Sequence, residues 1–290
     1  PMLSTMLPAL MLSMPLLGAA LALLLRREGH RVFSYLCSAV SAVCAALWSV
    51  LVLLEGTSTL VLDIPSAMGD YAIRLDPLGA LVLLITSLTF ACVAMYSLFS
   101  REGITSRGAS LFNLFMLSVL LAMVADHVLL LLVAWEAMSL TSFLGAWGAL
   151  EDQDTRAGWR YLAITHFGAA LIIAALAFLA VSSGEVRLSE MHGLSDSLGP
   201  VTSAAVIIMA FLGFGSKLGL LPFHIWMPDL YSRSPSTVTA LLSTAASNVA
   251  VLVLVRIIFD LVGVGEQHIL ALLVMGMASI TALWAAWQAL

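Results

Sequence analysis

"GFGSKLGLLPFHIWMP", Gly213 to Pro228, contains the single lysine of the 290-residue chain. The other eleven of its twelve basic residues are arginines, and all lie in or near polar breaks between apolar runs. Lys217 instead follows a long apolar run, Val201 to Phe214, and more apolar sequence lies behind it. An ammonium at membrane depth costs about 2.5–3.5 kcal/mol on insertion scales, so its position needs a physical reason. Gly213, Gly215 and Gly219 flank it, and Pro222 and Pro228 follow. Proline removes a backbone donor and crowds the preceding turn, so the helix is expected to break near Leu221 or Pro222. A broken helix at membrane depth is tolerated only against protein or a water-filled cavity. The stretch 201–230 exceeds what one crossing needs and suits two half-helices joined by an unwound section. Charge beside such a break is a recurring device of transporters.

Composition sets the same environment for the rest of the chain. It is 61% hydrophobic and 10% charged, with a mean hydropathy of +1.06, which excludes a soluble domain of this length. Windows of roughly 20 nearly uncharged residues span about 30 Å of hydrocarbon. The fold class is therefore an all-α polytopic membrane protein with about nine transmembrane helices, the seventh discontinuous. The spans lie near 2–25, 32–54, 77–99, 109–125, 127–149, 160–182, 201–230, 235–259 and 268–290. Between the second and third, "TLVLDIPSAMGDYAIRLDP" (Thr59 to Pro77) alternates apolar and polar residues around a Pro/Gly turn, the pattern of a short β-hairpin on the membrane surface. The first span is too long, and too soon followed by Arg26 and Arg27, for a cleaved signal peptide. Pro1 in place of methionine points to a trimmed or partial chain.

The formal charge of −5 is spread over short loops, and no basic run suggests a nucleic-acid or lipid-headgroup partner. Orientation follows from the loop cations. Segments after the odd-numbered spans hold Arg26, Arg27, Arg31, Arg101, Arg107, Arg156, Arg160 and Arg233, against Arg74, Arg187 and Arg256 on the other side. The N-terminus is thereby expected outside and the C-terminus in the cytoplasm. Arg256, near the outer end of its span, can snorkel. Cys37, Cys44 and Cys92 all sit within spans, without CxxC spacing or a histidine nearby, so no metal or redox centre is expected. No phosphate-binding glycine loop, HExxH or nucleophile elbow occurs, and no cofactor or covalent chemistry is expected of this chain.

The remaining signal is a set of polar groups inside the spans. Glu136 lies near the middle of "DHVLLLLVAWEAMSLTSFLGAW", with Ser139 on its face at i+3 and Thr141 and Ser142 following. His166 occurs in the next span, within "YLAITHFGAALIIAALAF", and His224 two turns after Lys217. Span eight carries Thr237, Thr244 and Asn248 on one face and Thr239, Ser243 and Ser247 as a second row. These groups also fit a purely structural role. A carboxylate and an ammonium can pair to hold helices together, a lone histidine can bridge helices, and hydroxyl rows bond their own backbone or neighbouring helices. The co-occurrence of acid, base and imidazole in consecutive spans points instead to an ion or proton pathway. Burial favours the neutral form of an amine, which suits proton exchange. A unit charge pair about 6 Å apart at an effective dielectric near 20 interacts by roughly 3 kcal/mol, enough to switch such a group.

Three stretches carry a resemblance. "GFGSKLGLLPFHIWMPDLYSRSPSTVTALLS" resembles the signature of the proton-conducting, antiporter-like membrane subunits of respiratory complex I, multi-subunit sodium/proton antiporters and energy-converting hydrogenases. "AWEAMSLTSFLGAW" resembles the fifth-helix segment of that family with its glutamate. "YLAITHFGAALII" is similar to the hydrogenase-4 component B and formate hydrogenlyase branch. The resemblance covers most of the chain from about Tyr71 onward.

It implies that Glu136 matches the fifth-helix glutamate and Lys217 the lysine of the broken seventh helix, with Gly215, Gly219 and Pro222 at the break. His166 and His224 match positions where hydrogenase-type members carry histidine. Members of this kind translocate protons driven by a soluble redox arm and are not themselves the redox centre. Two departures stand out. The family usually has a lysine or histidine on the eighth helix, and Asn248 occupies the lysine position; an amide can hydrogen-bond a water chain but not carry a proton. Full-length members have two inverted repeats, so residues 1–76 are expected to form a two-helix segment plus hairpin, 77–267 the first repeat and 268–290 the start of a second.

The implied function is a proton-translocating subunit of a hydrogenase- or NADH-dehydrogenase-like complex in the cell inner membrane. Its expected partners are other membrane subunits, a soluble hydrogenase or dehydrogenase arm, the lipid bilayer and protons, with sodium as a rival ion. A sodium/proton antiporter subunit and a non-conducting anchor for a soluble arm are the alternatives.

Overall fold

A computed structural model of the chain describes residues 2–24, 28–62, 69–100, 105–150, 156–263 and 268–288. Pro1, the loop cations Arg26, Arg27 and Arg101, and Pro65 in the hairpin turn lie outside the described residues. In chain order the elements are α1 (Met2–Leu24), α2 (Glu28–Glu55), β1 (Ser58–Leu62), β2 (Tyr71–Leu75), α3 (Pro77–Phe99), α4 (Ser106–Val124), α5 (Val128–Leu150) and α6 (Arg156–Ser183). There follow the short α7 (Ser195–Leu198), α8 (Pro200–Leu218), α9 (Trp226–Tyr231), α10 (Ser236–Leu241), α11 (Ser247–Val255) and α12 (His268–Gln288). Among the described residues, 8 stretches are long and apolar enough to cross a membrane, and α12 adds the apolar segment Met275–Trp287. The all-α polytopic architecture read from the sequence is the one observed.

The helices start where the sequence supplies acceptors for their free N–H groups. Asp76 caps α3 by accepting from the Gly79 amide at 2.7 Å, with Pro77 in the first turn. Thr105 caps α4 by accepting from the Gly108 amide at 3.0 Å. Satisfied ends matter more here than in water, because lipid offers no replacement partner. The outward faces stay apolar, with Phe99, Val181 and Val201 exposed, as a lipid-facing surface requires.

The expected hairpin is present, β1 antiparallel to β2 with Leu60 opposite Ile73. Ala72, Ile73 and Leu75 of β2 are buried, and the Asp126 amide donates to the Ala72 carbonyl at 2.9 Å. The hairpin is thus fastened to the link between α4 and α5. Beside it, Arg256 Nη2 meets Asp76 Oδ1 at 2.7 Å and Nη1 donates to the Met123 carbonyl at 3.4 Å. Arg256 does not simply extend toward solvent, since it ties the end of span eight to the start of α3.

Within the bundle, α1 packs on α2 and α4, α2 on α3, α4 on α5, and α6 on α8. The α6–α8 crossing is made close by two glycines. A Cβ at Gly168 would fall 2.7 Å from the Gly213 carbonyl oxygen, and one at Gly213 would fall 2.9 Å from that of Gly168. Small residues let membrane helices approach in this way where lipid supplies no hydrophobic driving force.

Span seven is interrupted, two residues earlier than the prolines suggest. Helix α8 stops at Gly219, whose φ of +68° is left-handed, a conformation only glycine takes at little cost. The Leu220 amide closes back onto the Gly215 carbonyl at 2.9 Å, forming the six-to-one bond of a glycine-terminated helix. Beyond the break the second half-helix is short, only the 6 residues of α9. Span eight departs from regular α geometry as well, with π-helical turns at Leu242–Ala246 and Arg256–Val262. A π turn adds a residue per turn, so the two polar rows drawn from a 3.6-residue period do not continue through it.

Candidate functional site

The break positions Lys217 in the last turn of α8, where the partial negative charge of the helix C-terminus favours a cation. Its side chain is 2% exposed. Nζ donates to Ser139 Oγ of α5 at 3.4 Å and, over a short contact, to the Tyr161 hydroxyl of α6. Among the described residues no carboxylate forms an ion pair with it, and Glu136 acts on it through space. One helical turn separates Glu136 from Ser139, so the charge and the hydroxyl contact come from the same part of α5.

Tyr161 is fully buried and shares a second hydrogen bond with Ser142 Oγ at 2.5 Å. Ser142 in turn donates to the Ser139 carbonyl at 2.9 Å. The donors are consistent in direction, from Lys217 to Tyr161 to Ser142 to the carbonyl. The Tyr161 ring packs 4.8 Å from the Trp226 ring, centroid to centroid. Trp226 Nε1 donates to the Ser216 carbonyl at 2.9 Å, satisfying an acceptor that the end of α8 leaves open. Another group freed by the break, the Leu221 amide, donates to Thr281 Oγ1 of α12 at 3.3 Å. Lys217, Tyr161 and Trp226 thus form one buried block.

Glu136 and His166 form a second group on the outer flank of α5 and α6. Glu136 Oε2 lies 3.5 Å from His166 Nε2, with side-chain exposures of 31% and 43%. His166 Nδ1 lies 3.0 Å from the Leu162 carbonyl. A carbonyl only accepts, so Nδ1 carries that hydrogen. The contact between Nε2 and the carboxylate is then favourable only with a second proton, held by either partner. Among the described residues His166 has no hydrogen bond to Lys217.

The two remaining positions lie elsewhere. His224 Nε2 accepts from Trp284 Nε1 of α12 at 3.2 Å, and its buried Nδ1 has no partner among the described residues. Asn248 Nδ2 donates to Thr86 Oγ1 of α3 at 3.0 Å and has no bond to Lys217. The neighbouring hydroxyls turn back on their own helix, Thr244 to the Ala240 carbonyl and Ser247 to that of Leu242. Among the described residues no group of three or more His, Cys, Asp or Glu could hold a metal.

Tyr161 and Trp226 were not singled out by the sequence reading, and Ser142 was noted only as a hydroxyl following Glu136. A signal existed for Tyr161, because Tyr161, Thr165, Gly168 and Ile172 recur at helical spacing and all are buried. That face includes the close-approach glycine and excludes His166.

In sequence and in fold the chain is similar to known membrane proteins. A family profile described as "NADH:quinone oxidoreductase/Mrp antiporter, TM" matches residues 125–290. Hydrogenase-4 component B of Escherichia coli (strain K12) is 30% identical over 224 residues, covering 76% of this chain and 33% of the relative. The chain therefore spans about a third of that relative's length. Among solved structures, a chain of the membrane-bound sulfane sulfur reductase, an archaeal respiratory membrane complex, superposes with a TM-score of 0.75 at 19% identity, over 86% of this chain and 40% of its own. A chain of respiratory complex I from Thermus thermophilus gives a TM-score of 0.72 at 24% identity, over 88% of this chain and 53% of its own. Those two likenesses show a shared fold. With more than half of its residues matched by the family profile, the chain belongs to the NADH:quinone oxidoreductase/Mrp antiporter transmembrane family.

Proposed function

We propose that this chain is a proton-translocating subunit of a redox-driven membrane complex, of the hydrogenase or NADH-dehydrogenase kind. One observation carries the reading. Lys217 is closed off beside a helix break, held by neutral hydroxyls rather than by a carboxylate. A lysine kept for structure alone gains most from a direct counter-ion, because an unpaired buried charge is costly. A lysine that must gain and lose a proton is better served by neutral partners and a charge acting from further away.

In this reading Lys217 binds and releases the transported proton. Glu136 is the charge that favours or disfavours the ammonium, and His166 lies 3.5 Å from its carboxylate. His224, just past the break and hydrogen-bonded to Trp284 of α12, is a candidate for the onward step. Other membrane subunits and a soluble hydrogenase or dehydrogenase arm are the proposed partners. The excess of loop arginines after odd-numbered spans supports an orientation with the N-terminus outside and the C-terminus in the cytoplasm of a bacterial inner membrane.

A second reading, a non-conducting anchor for a soluble arm, draws on Asn248. Its amide is engaged with Thr86 and has no proton to give at ordinary pH. The two readings separate in inverted membrane vesicles that contain the intact complex. Proton uptake and redox turnover are compared between the natural chain and Lys217→Ala. Loss of the gradient supports translocation. An unchanged gradient with normal turnover makes Lys217 a structural charge and the chain an anchor.

A further inference from the structure

We propose that Tyr161 and Ser142 are the proton access route to Lys217, fed by a water-accessible cavity that opens at the arginine-bearing end of the bundle; this rests on the translocation reading above. The cavity has a volume of about 430 Å³ and reaches from the exposed Arg107 and Arg233 at its rim to Thr141 and Ser142 of α5 at its wall. That space is large enough for several water molecules. Much of its lining is apolar, including Phe115 and Leu242, but Thr141, Ser142, Ser234 and Thr237 supply the polar partners that water requires.

Lys217 does not line this cavity. It reaches the cavity wall through two hydroxyls, Tyr161 and then Ser142, by the contact to Nζ and the 2.5 Å bond between the hydroxyls. The transfer conserves both hydroxyls. A protonated water in the cavity gives a proton to Ser142 Oγ, Ser142 passes its own hydrogen to the Tyr161 oxygen, and Tyr161 passes its hydrogen to the neutral amine of Lys217. One O–H bond of the water breaks and one N–H bond forms. Once Lys217 has released its proton onward, both hydroxyls rotate back before the next transfer, Ser142 from the Ser139 carbonyl toward the Tyr161 oxygen and Tyr161 toward Nζ. Neither residue holds charge between steps, so neither needs a counter-ion inside the bundle.

The test uses vesicles containing the intact complex, with Lys217→Ala measured alongside Tyr161→Phe, Ser142→Ala and the cavity-filling Val238→Trp. The three access variants are expected to lower the initial rate of proton uptake by about tenfold, the scale of one lost hydrogen-bonded transfer step. If Lys217→Ala abolishes uptake while all three leave it unchanged, the route is wrong and the translocation reading stands. If Lys217→Ala leaves uptake intact, the reading itself fails and the route with it.

A labelling experiment decides the matter where Tyr161→Phe does not assemble. In a background with Cys37, Cys44 and Cys92 replaced by serine, Thr141→Cys is expected to react with a small water-soluble methanethiosulfonate. The reagent is expected to act from the same membrane face as it does on Arg233→Cys. Reaction only from the opposite face, or none, overturns the cavity as the access path.

Discussion

Lys217 on α8 and Tyr161 on α6 are hydrogen-bonded to each other inside the bundle, and neither side chain reaches solvent. Their meeting depends on Gly168 and Gly213 one to two turns away, which let the two helices touch backbone to backbone. The chemistry of the lysine is therefore set by how closely two helices can pack.

Gly168→Ala tests that dependence. Its Cβ would enter the space of the Gly213 carbonyl and Ser216, so the helices must part. The variant is expected to lose about 1–3 kcal/mol of stability, the usual penalty for overpacking, read as a lower unfolding temperature in detergent. Gly276→Ala is the control, because a Cβ there meets nothing within 4 Å. In a helix that exchange is neutral or gains about 0.5–1 kcal/mol. Equal effects at both positions would sink the close-packing argument.

Gly219→Ala probes the break itself. At φ +68° an alanine is strained by roughly 1–2 kcal/mol, and its methyl would also meet Met227. A reduced unfolding temperature is expected, together with slower proton uptake as the Lys217 turn shifts. Unchanged values for both would show that the left-handed residue is not what ends α8.

The Asp76–Arg256 pair predicts a dependence on acid. Burial pushes the Asp76 carboxyl upward, but Arg256, the Gly79 amide and Arg74 together outweigh it and hold the group below the usual carboxylate range. A carboxyl depressed in the folded state stabilises it fully above the unfolded value, near about 4. That stability is lost as pH falls through the lower folded value. Below pH of about 4 the natural chain is expected to lose stability that Asp76→Asn, already weaker at neutral pH, no longer has to lose. Parallel stability curves for the two proteins from pH 7 downward would refute this.

Glu136→Gln removes the charge that acts on Lys217 while keeping an acceptor for His166. Proton uptake is expected to fall by about tenfold, corresponding to roughly 1.4 kcal/mol of lost Coulombic coupling, with assembly intact on a native gel. Uptake at the full rate would remove Glu136 from the mechanism.

Much of this was legible in the chain before folding. A lone lysine between glycines and prolines in an apolar run marks a break whatever the neighbours are, because proline lacks an amide hydrogen and glycine takes the left-handed turn. Glu136 stood out because eight apolar residues precede it. His166 was legible as a polar group but not as to which way it faces, and it lies with Glu136 on the outer flank. The two polar rows of span eight depended on a regular period, which the π turns interrupt.

By itself the sequence determined the membrane setting, the number and approximate limits of the spans, and the interruption of the seventh, because these follow from hydropathy over about 20 residues and from local backbone chemistry. Only the tertiary structure decided that Lys217 is held by Ser139 and Tyr161, that Ser142 joins Tyr161 to a cavity, and that Arg256 pairs with Asp76. Those contacts join residues 19 to 180 positions apart. Spacing along a chain reports which side chains share one helix face, whereas helix rotation and approach, fixed here by small residues at the α6–α8 crossing, settle which faces meet.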